Sequence, residues 1–106
     1  MTIYSVQFAA VQLTANSNAL WTAETQFLEV VRDVEIVDRS GNAGNTVTLW
    51  LGVPGTATAF LNTPALGAYG HFQWQGRLVL ASSQVLGASC GAFPSHVIVS
   101  GYRLTL

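Results

Sequence analysis

The chain has 106 residues, a formal net charge of −1 and four cationic side chains, all of them arginine. Half of its residues are hydrophobic and only 8% are charged, whereas about 25% is usual for a soluble protein. This composition excludes a disordered chain, which needs low hydrophobicity and high charge. It also argues against nucleic acid as a partner, because tracking a phosphate backbone requires a basic patch. The length predicts one domain over residues 1–106.

The sequence gives little support for a metal site or for a membrane segment. A single cysteine, Cys90, leaves no disulfide framework and no cysteine-based zinc site, so a small buried side chain is expected there. His71 and His96 are 25 residues apart with no third ligand nearby in sequence, so we expect no metal and no cofactor. No run approaches the roughly 20 apolar residues of a membrane helix. The N-terminal residues also lack the basic region of a signal peptide, which predicts no membrane partner and a cytoplasmic origin.

Abundant Val, Ile and Thr, with Gly or Asn about every ten residues, predict an all-β fold. No window of 11 residues keeps a helical apolar stripe free of glycine breaks and β-branched runs. We therefore predict an antiparallel two-sheet β-sandwich, jelly-roll-like, with about eight strands and no helix. The predicted strands cover residues 3–13, 20–22, 27–38, 46–52, 56–61, 66–74, 77–80, 84–90 and 96–106.

The strand at 27–38 alternates in its second half. Arg32 has the parity of the apolar residues, which predicts a bulge or a sheet edge at this position. The loop at 40–45 is rich in Gly and Asn, so we expect it to join this strand to the one at 46–52 in a long hairpin. The side chains predicted to face the core are Val30, Val34 and Ile36.

Asp33 and Glu35 lie on one face of that strand, about 7 Å apart. Such a pair could serve glycoside hydrolysis. A catalytic acid needs a raised pKa, which requires burial, and the alternation places both carboxylates toward solvent. We therefore predict no catalytic residue and no enzyme activity.

The C-terminal two thirds of the chain are poor in charge. From Ser40 onward only Arg77 and Arg103 carry a formal charge, although a soluble monomer normally spreads charge over its strand faces and edges. We therefore expect other subunits to cover these faces. The last strand is apolar on both faces, which suits a central strand or a subunit contact.

Aromatic residues outside the aliphatic rows are the candidate contacts. An outward aromatic ring beside polar neighbours can anchor a protein interface or stack on a sugar, and a loop of the same chain can also cover it. The interface candidates are Trp50, Tyr69, Trp74 and Tyr102.

A characteristic order of strands and turns runs through residues 20–23, 30–37, 46–51, 60–61, 64–66, 71–80, 85–89 and 97–105. This order resembles that of small structural proteins of tailed bacteriophage virions, of the capsid decoration type. The family's frequent ending is an apolar aromatic stretch, Gly-Arg, Leu-Val-Leu, a turn, Leu-x-Ala and then Val-x-Val-Ser-Gly. The resemblance implies a compact jelly-roll-like sandwich that attaches to a capsid or tail in many copies, without catalytic residues.

For this chain the resemblance implies a capsid decoration (cement) protein that binds the major capsid protein or other virion proteins. It would stabilise the head shell as a homo-oligomer such as a trimer, and it would be located in the virion after assembly in the host cytoplasm. A tail-tip or fibre-associated module is one alternative. Another is a carbohydrate-binding β-sandwich that stacks sugars on Trp50, Tyr69 and Trp74.

Overall fold

The computed structural model describes residues 2–13, 18–52, 58–91 and 94–105. The predicted turn at 54–55, the start of the predicted strand at 56–61 and residues 14–17, 92–93 and 106 lie outside these ranges. Within the described ranges, no helix is long and apolar enough to span a bilayer. The strands are β1 (Ile3–Leu13), β2 (Asn18–Thr22), β3 (Phe27–Asp38), β4 (Val47–Leu51), β5 (Thr58–Asn62), β6 (His71–Leu80), β7 (Val85–Cys90) and β8 (Ser95–Thr105).

The strands form two antiparallel sheets of four. One sheet has the order β1-β8-β3-β6 and the other β2-β7-β4-β5. This is the strand order of a jelly roll, in which two Greek keys wind together. The prediction of an antiparallel all-β sandwich is confirmed. β8 is central between β1 and β3, which is one of the two alternatives that its apolar faces predicted.

The core lies between the sheets and consists mainly of aliphatic side chains. Alternation places every second residue of each strand there, and β-branched side chains pack well on a pleated surface. The fully buried members of this core cluster include Leu13, Val34, Ile36, Leu49, Leu86, Val97 and Val99.

The bulge predicted at Arg32 is present. The register of β3 shifts between Val31 and Asp33 against both neighbouring strands, and the Arg32 side chain is exposed. The extra residue reverses the alternation, so that Val31 and not Val30 belongs to the core cluster. The expectation that Val30 faces this core was wrong: its side chain is buried on the other side of the sheet, where it is paired with Tyr102.

The predicted hairpin of the third and fourth strands is absent, because β3 and β4 lie in different sheets. Both edges of β3 are already paired, with β8 and with β6. The Asp38 carboxylate accepts hydrogen bonds from the Ser40 backbone N–H and hydroxyl, each at 2.9 Å, and the loop then crosses to the second sheet. Turn residues specify that the chain reverses but not which sheet the next strand joins.

One strand, β6, replaces the two predicted at 66–74 and 77–80. Gly76 does not interrupt it, because the ring of Trp74 fills the space over this glycine: an added Cβ would lie 2.7 Å from Trp74 Cζ2. Leu66 forms an isolated bridge with Asn45. Tyr69 lies in a turn with a φ of 53°, so the strand begins only at His71.

Candidate interaction surfaces

The sheet β2-β7-β4-β5 contains no Asp, Glu, Lys, Arg or His in any of its strands. All nine charged residues of the chain lie on β3, β6 and β8 or at positions 24 and 39. The outer side of the uncharged sheet is called the neutral face here. It carries neutral side chains around one tryptophan, including Ala19, Thr48, Trp50, Ala59, Asn62, Gly87 and Ser89.

Trp50 lies at the centre of the neutral face, and its side chain is only 7% exposed. The ring lies over Gly87 of the neighbouring strand, where an added Cβ would be 1.9 Å from Trp50 Cζ3. Trp50 is therefore mostly covered by its own chain. A closed patch results, in which little of the ring is open to a partner.

The other aromatic candidates do not share a surface with Trp50. Tyr69 is 70% exposed, in the turn before β6 and close to Gly41. Trp74 packs against the core between the sheets, with its ring centroid 5.8 Å from that of Phe60 in an edge-on contact. Tyr102 is half-buried on β8, in the charged sheet. The structure thus distributes the four candidates over four different environments.

The outer side of the sheet β1-β8-β3-β6 carries two shallow grooves along the β1–β8 seam. The larger, of about 630 Å³, is lined by residues that include Ile3, Arg32 and Tyr102. The smaller, of about 230 Å³, is lined by residues that include Ala10 and His96. These grooves are open and shallow, which suits contact with an extended chain better than enclosure of a small molecule.

The two carboxylates on β3 are part of a surface hydrogen-bond ladder. Asp33 and Glu35 are both half-buried on the outer side of the sheet. The Nε2 groups of Gln73 and Gln75 on β6 donate to Asp33 Oδ2 at 3.2 and 3.3 Å. Asp33 therefore links β3 to the sheet edge.

The fold places the two histidines in one row across the charged sheet. His96 is 3.2 Å from Gln12 Oε1 through its Nε2 atom, and His71 and His96 pair with Val37 from opposite sides. Two strand spacings separate their backbones, about 9.6 Å, with Val37 between them. No group of three His, Cys, Asp or Glu among the described residues is arranged to hold a metal.

A polar cluster between the sheets was not predicted from the sequence. Glu29 is fully buried, and its Oε1 atom accepts from Trp21 Nε1 at 3.1 Å and from the Glu24 backbone N–H at 2.7 Å. Arg103 pairs with Glu24 at 3.3 Å and lies 4.2 Å from the centroid of the Phe27 ring. Glu29 has the same parity as Val31 and therefore points toward the core. This parity indicates burial only when the bulge at Arg32 is taken into account. The cluster joins the two sheets at one end of the sandwich.

Cys90 is almost completely buried, and burial raises the pKa of its thiol, with the Asp38 carboxylate adding to the effect. Only the thiolate is nucleophilic. We expect iodoacetamide at pH 7.5 to alkylate the folded chain at least about tenfold more slowly than the urea-unfolded chain, and the folded rate to rise with pH beyond the usual thiol range. Mass spectrometry of timed samples measures both rates, with glutathione as the unhindered reference. Equal rates would contradict this placement of the thiol.

The strand order defines the class of fold, an eight-stranded jelly roll. No family model matches the sequence, and no curated protein matches it. A chain in the structure of infectious bursal disease virus, Gx strain, is similar with a TM-score of 0.50 and 11% identity, over 96% of this chain and 31% of that one. A chain of the Gt strain aligns with a TM-score of 0.38, 14% identity and coverages of 96% and 32%. At such low identity the likeness concerns the fold alone, and this chain spans about a third of each neighbour.

Proposed function

We propose that this chain is a structural protein of a tailed bacteriophage virion, a capsid decoration (cement) protein without enzyme activity. It binds the major capsid protein and stabilises the head shell as an oligomer, after assembly in the host cytoplasm. The observation that carries the proposal is the neutral face, a whole sheet without a charged side chain. The jelly-roll fold shared with a chain of a virus structure supports the same class of role.

The neutral face suits a contact that is repeated many times over a shell. Burying a charge costs free energy unless the partner supplies a matching group, and this face imposes no such cost at any position. Its exposed Ala19 and Ala59 are short, so little side-chain entropy is lost on contact. Each contact adds modest affinity, and oligomers multiply it through effective concentration.

The carbohydrate-binding alternative receives less support from the geometry. Stacking on a sugar needs an open ring face, whereas Trp50 is covered and Trp74 packs against Phe60 inside the sandwich. Of these three candidates only Tyr69 has an open side chain. A tail-tip or fibre-associated position uses the same kind of contact, so the location of the chain on the particle separates the two structural roles.

Mass spectrometry and cryo-electron microscopy of the purified virus test the virion role. We expect the chain at high copy number in the particle and its density on the head shell. Density confined to the tail would replace the decoration role by the tail role. Absence of the chain from purified particles would contradict both.

A charge on the neutral face is expected to prevent binding. Ala59→Glu places a carboxylate on the exposed edge strand β5, where burial against a shell leaves it unpaired. We expect binding to shells that lack this chain to weaken by about tenfold or more. The matched control is Val79→Glu, also exposed and on the edge strand β6 of the charged sheet, which should bind within about threefold of the unchanged chain. Circular dichroism checks that both variants are folded, and equal binding by both would contradict a contact through the neutral face.

A further inference from the structure

The edge strand β1 differs from the other three sheet edges. It is 11 residues long, pairs with β8 on one side and is the last strand of its sheet on the other. It contains no charged residue and no proline, the usual protections of an edge against pairing with another chain. Three large apolar side chains on it are exposed: Ile3, Tyr4 and Val11.

The other three edge strands carry features that prevent pairing with another chain. β2 and β5 have only five residues each. β6 has ten residues, but it carries Arg77 and lies against the bulge of β3. An antiparallel partner for the full length of β1 must be long and uncharged, and among the described strand edges of this chain only β1 itself is both.

We propose that β1 pairs with β1 of a second copy of this chain, antiparallel and about a two-fold axis. The two four-stranded sheets then continue into one sheet of eight strands. This interface is isologous and closes at two copies. The inference concerns the chain in solution and does not depend on the virion role.

The bulge in β1 determines the register of this pairing. Residues directly opposite each other in an antiparallel pair point to the same side of the sheet. The register shift between Gln7 and Ala9 reverses the alternation within β1. A residue before this bulge and a residue after it therefore point to the same side only when their numbers have an odd sum. A sum of 15 pairs residues 2–6 of one copy with residues 9–13 of the other and leaves Gln7 and Phe8 at the two-fold axis. This register places Tyr4 opposite Val11. The two side chains are 45% and 42% exposed in the single chain, and in the dimer they cover each other.

The test uses charges at Ser5 and Ala10, which are exposed and lie opposite each other in this register. The double variant Ser5→Lys with Ala10→Lys sets lysines against lysines, whereas Ser5→Lys with Ala10→Glu sets lysines against glutamates at the same positions. Like charges directly opposite destabilise a strand pair and opposite charges support it. By analytical ultracentrifugation we expect a dimer for the unchanged chain, weakening by about tenfold or more in the Lys/Lys variant, and a dimer in the Lys/Glu variant.

Cross-linking provides a measurement that does not depend on charge. In a background with Cys90→Ala, a mixture of Ser5→Cys and Ala10→Cys chains should form a disulfide-linked dimer, since directly opposite Cβ atoms are about 5 Å apart. The Ser5→Cys chain alone should not, because the two copies of Ser5 lie about 17 Å apart in this register. A monomer or a trimer at about 100 μM, equal dimerisation of the Lys/Lys and Lys/Glu variants, or cross-linking of Ser5→Cys with itself would overturn the proposal. A monomer would also contradict the oligomer in the proposed virion role, whereas the other results would leave that role unaffected.

Discussion

Gly101→Ala is expected to lower the free energy of unfolding by at least about 3 kcal/mol, or to prevent folding. An added Cβ would lie 1.9 Å from the backbone oxygen of Val30. Gly101 belongs to the central strand β8 and is paired with Val6 on one side and Val31 on the other. The clash is with backbone, and neither neighbour can move without breaking strand pairing, so the strain cannot be relieved locally.

The matched control is Gly67→Ala. An added Cβ at Gly67 meets nothing within 4 Å, so we expect a change of less than about 1 kcal/mol, in the stabilising direction, because alanine restricts the unfolded chain. Urea unfolding followed by tryptophan fluorescence measures both variants. A Gly101→Ala protein within 1 kcal/mol of the unchanged chain would show that β8 is not held between β1 and β3 as described.

Gly87→Ala is expected to cost about 2 to 3 kcal/mol, because its methyl group would occupy the space of the Trp50 ring, 1.9 Å from Cζ3. Here the obstructing group is a side chain, which can turn away into solvent. The cost is therefore smaller than at Gly101, and it includes the exposure of a tryptophan that is otherwise covered.

A double-mutant cycle with Trp50→Ala isolates this contact. Once the ring is removed, the methyl group at Gly87 has no obstruction, so the cost of Gly87→Ala in the Trp50→Ala background should fall by more than about 1 kcal/mol. The same unfolding measurement applies to all four proteins of the cycle. Additive costs would mean that Trp50 does not lie over Gly87, and the description of the neutral face as a closed patch would be wrong.

Local alternation was sufficient for much of the fold. The bounds predicted for β1 and β3 agree with the structure, and the parity of Arg32 indicated the bulge in β3. These features depend on a residue's immediate neighbours, because a strand exposes alternate side chains to opposite sides. The apolar character of β8 on both faces predicted a central strand or a subunit contact, and its position between β1 and β3 is the first of these.

The same reasoning did not predict which strands pair. β3 and β4 are joined by a loop with strong turn chemistry, yet they belong to different sheets. The burial of Glu29 also depended on a distant partner, since its carboxylate accepts from Trp21 on another strand. Nothing in the alternation of a single segment carries this information.

The amino-acid order alone was enough for the all-β class, the approximate strands and the scarcity of charge after Ser40, because these depend on composition and on a period of two residues. Only the folded chain decided that the uncharged strands β2, β4, β5 and β7 assemble into one sheet, and that Trp50 covers Gly87 in it. Contacts between residues far apart in the chain select which strands pair. A surface made of four separate segments therefore exists only after that selection.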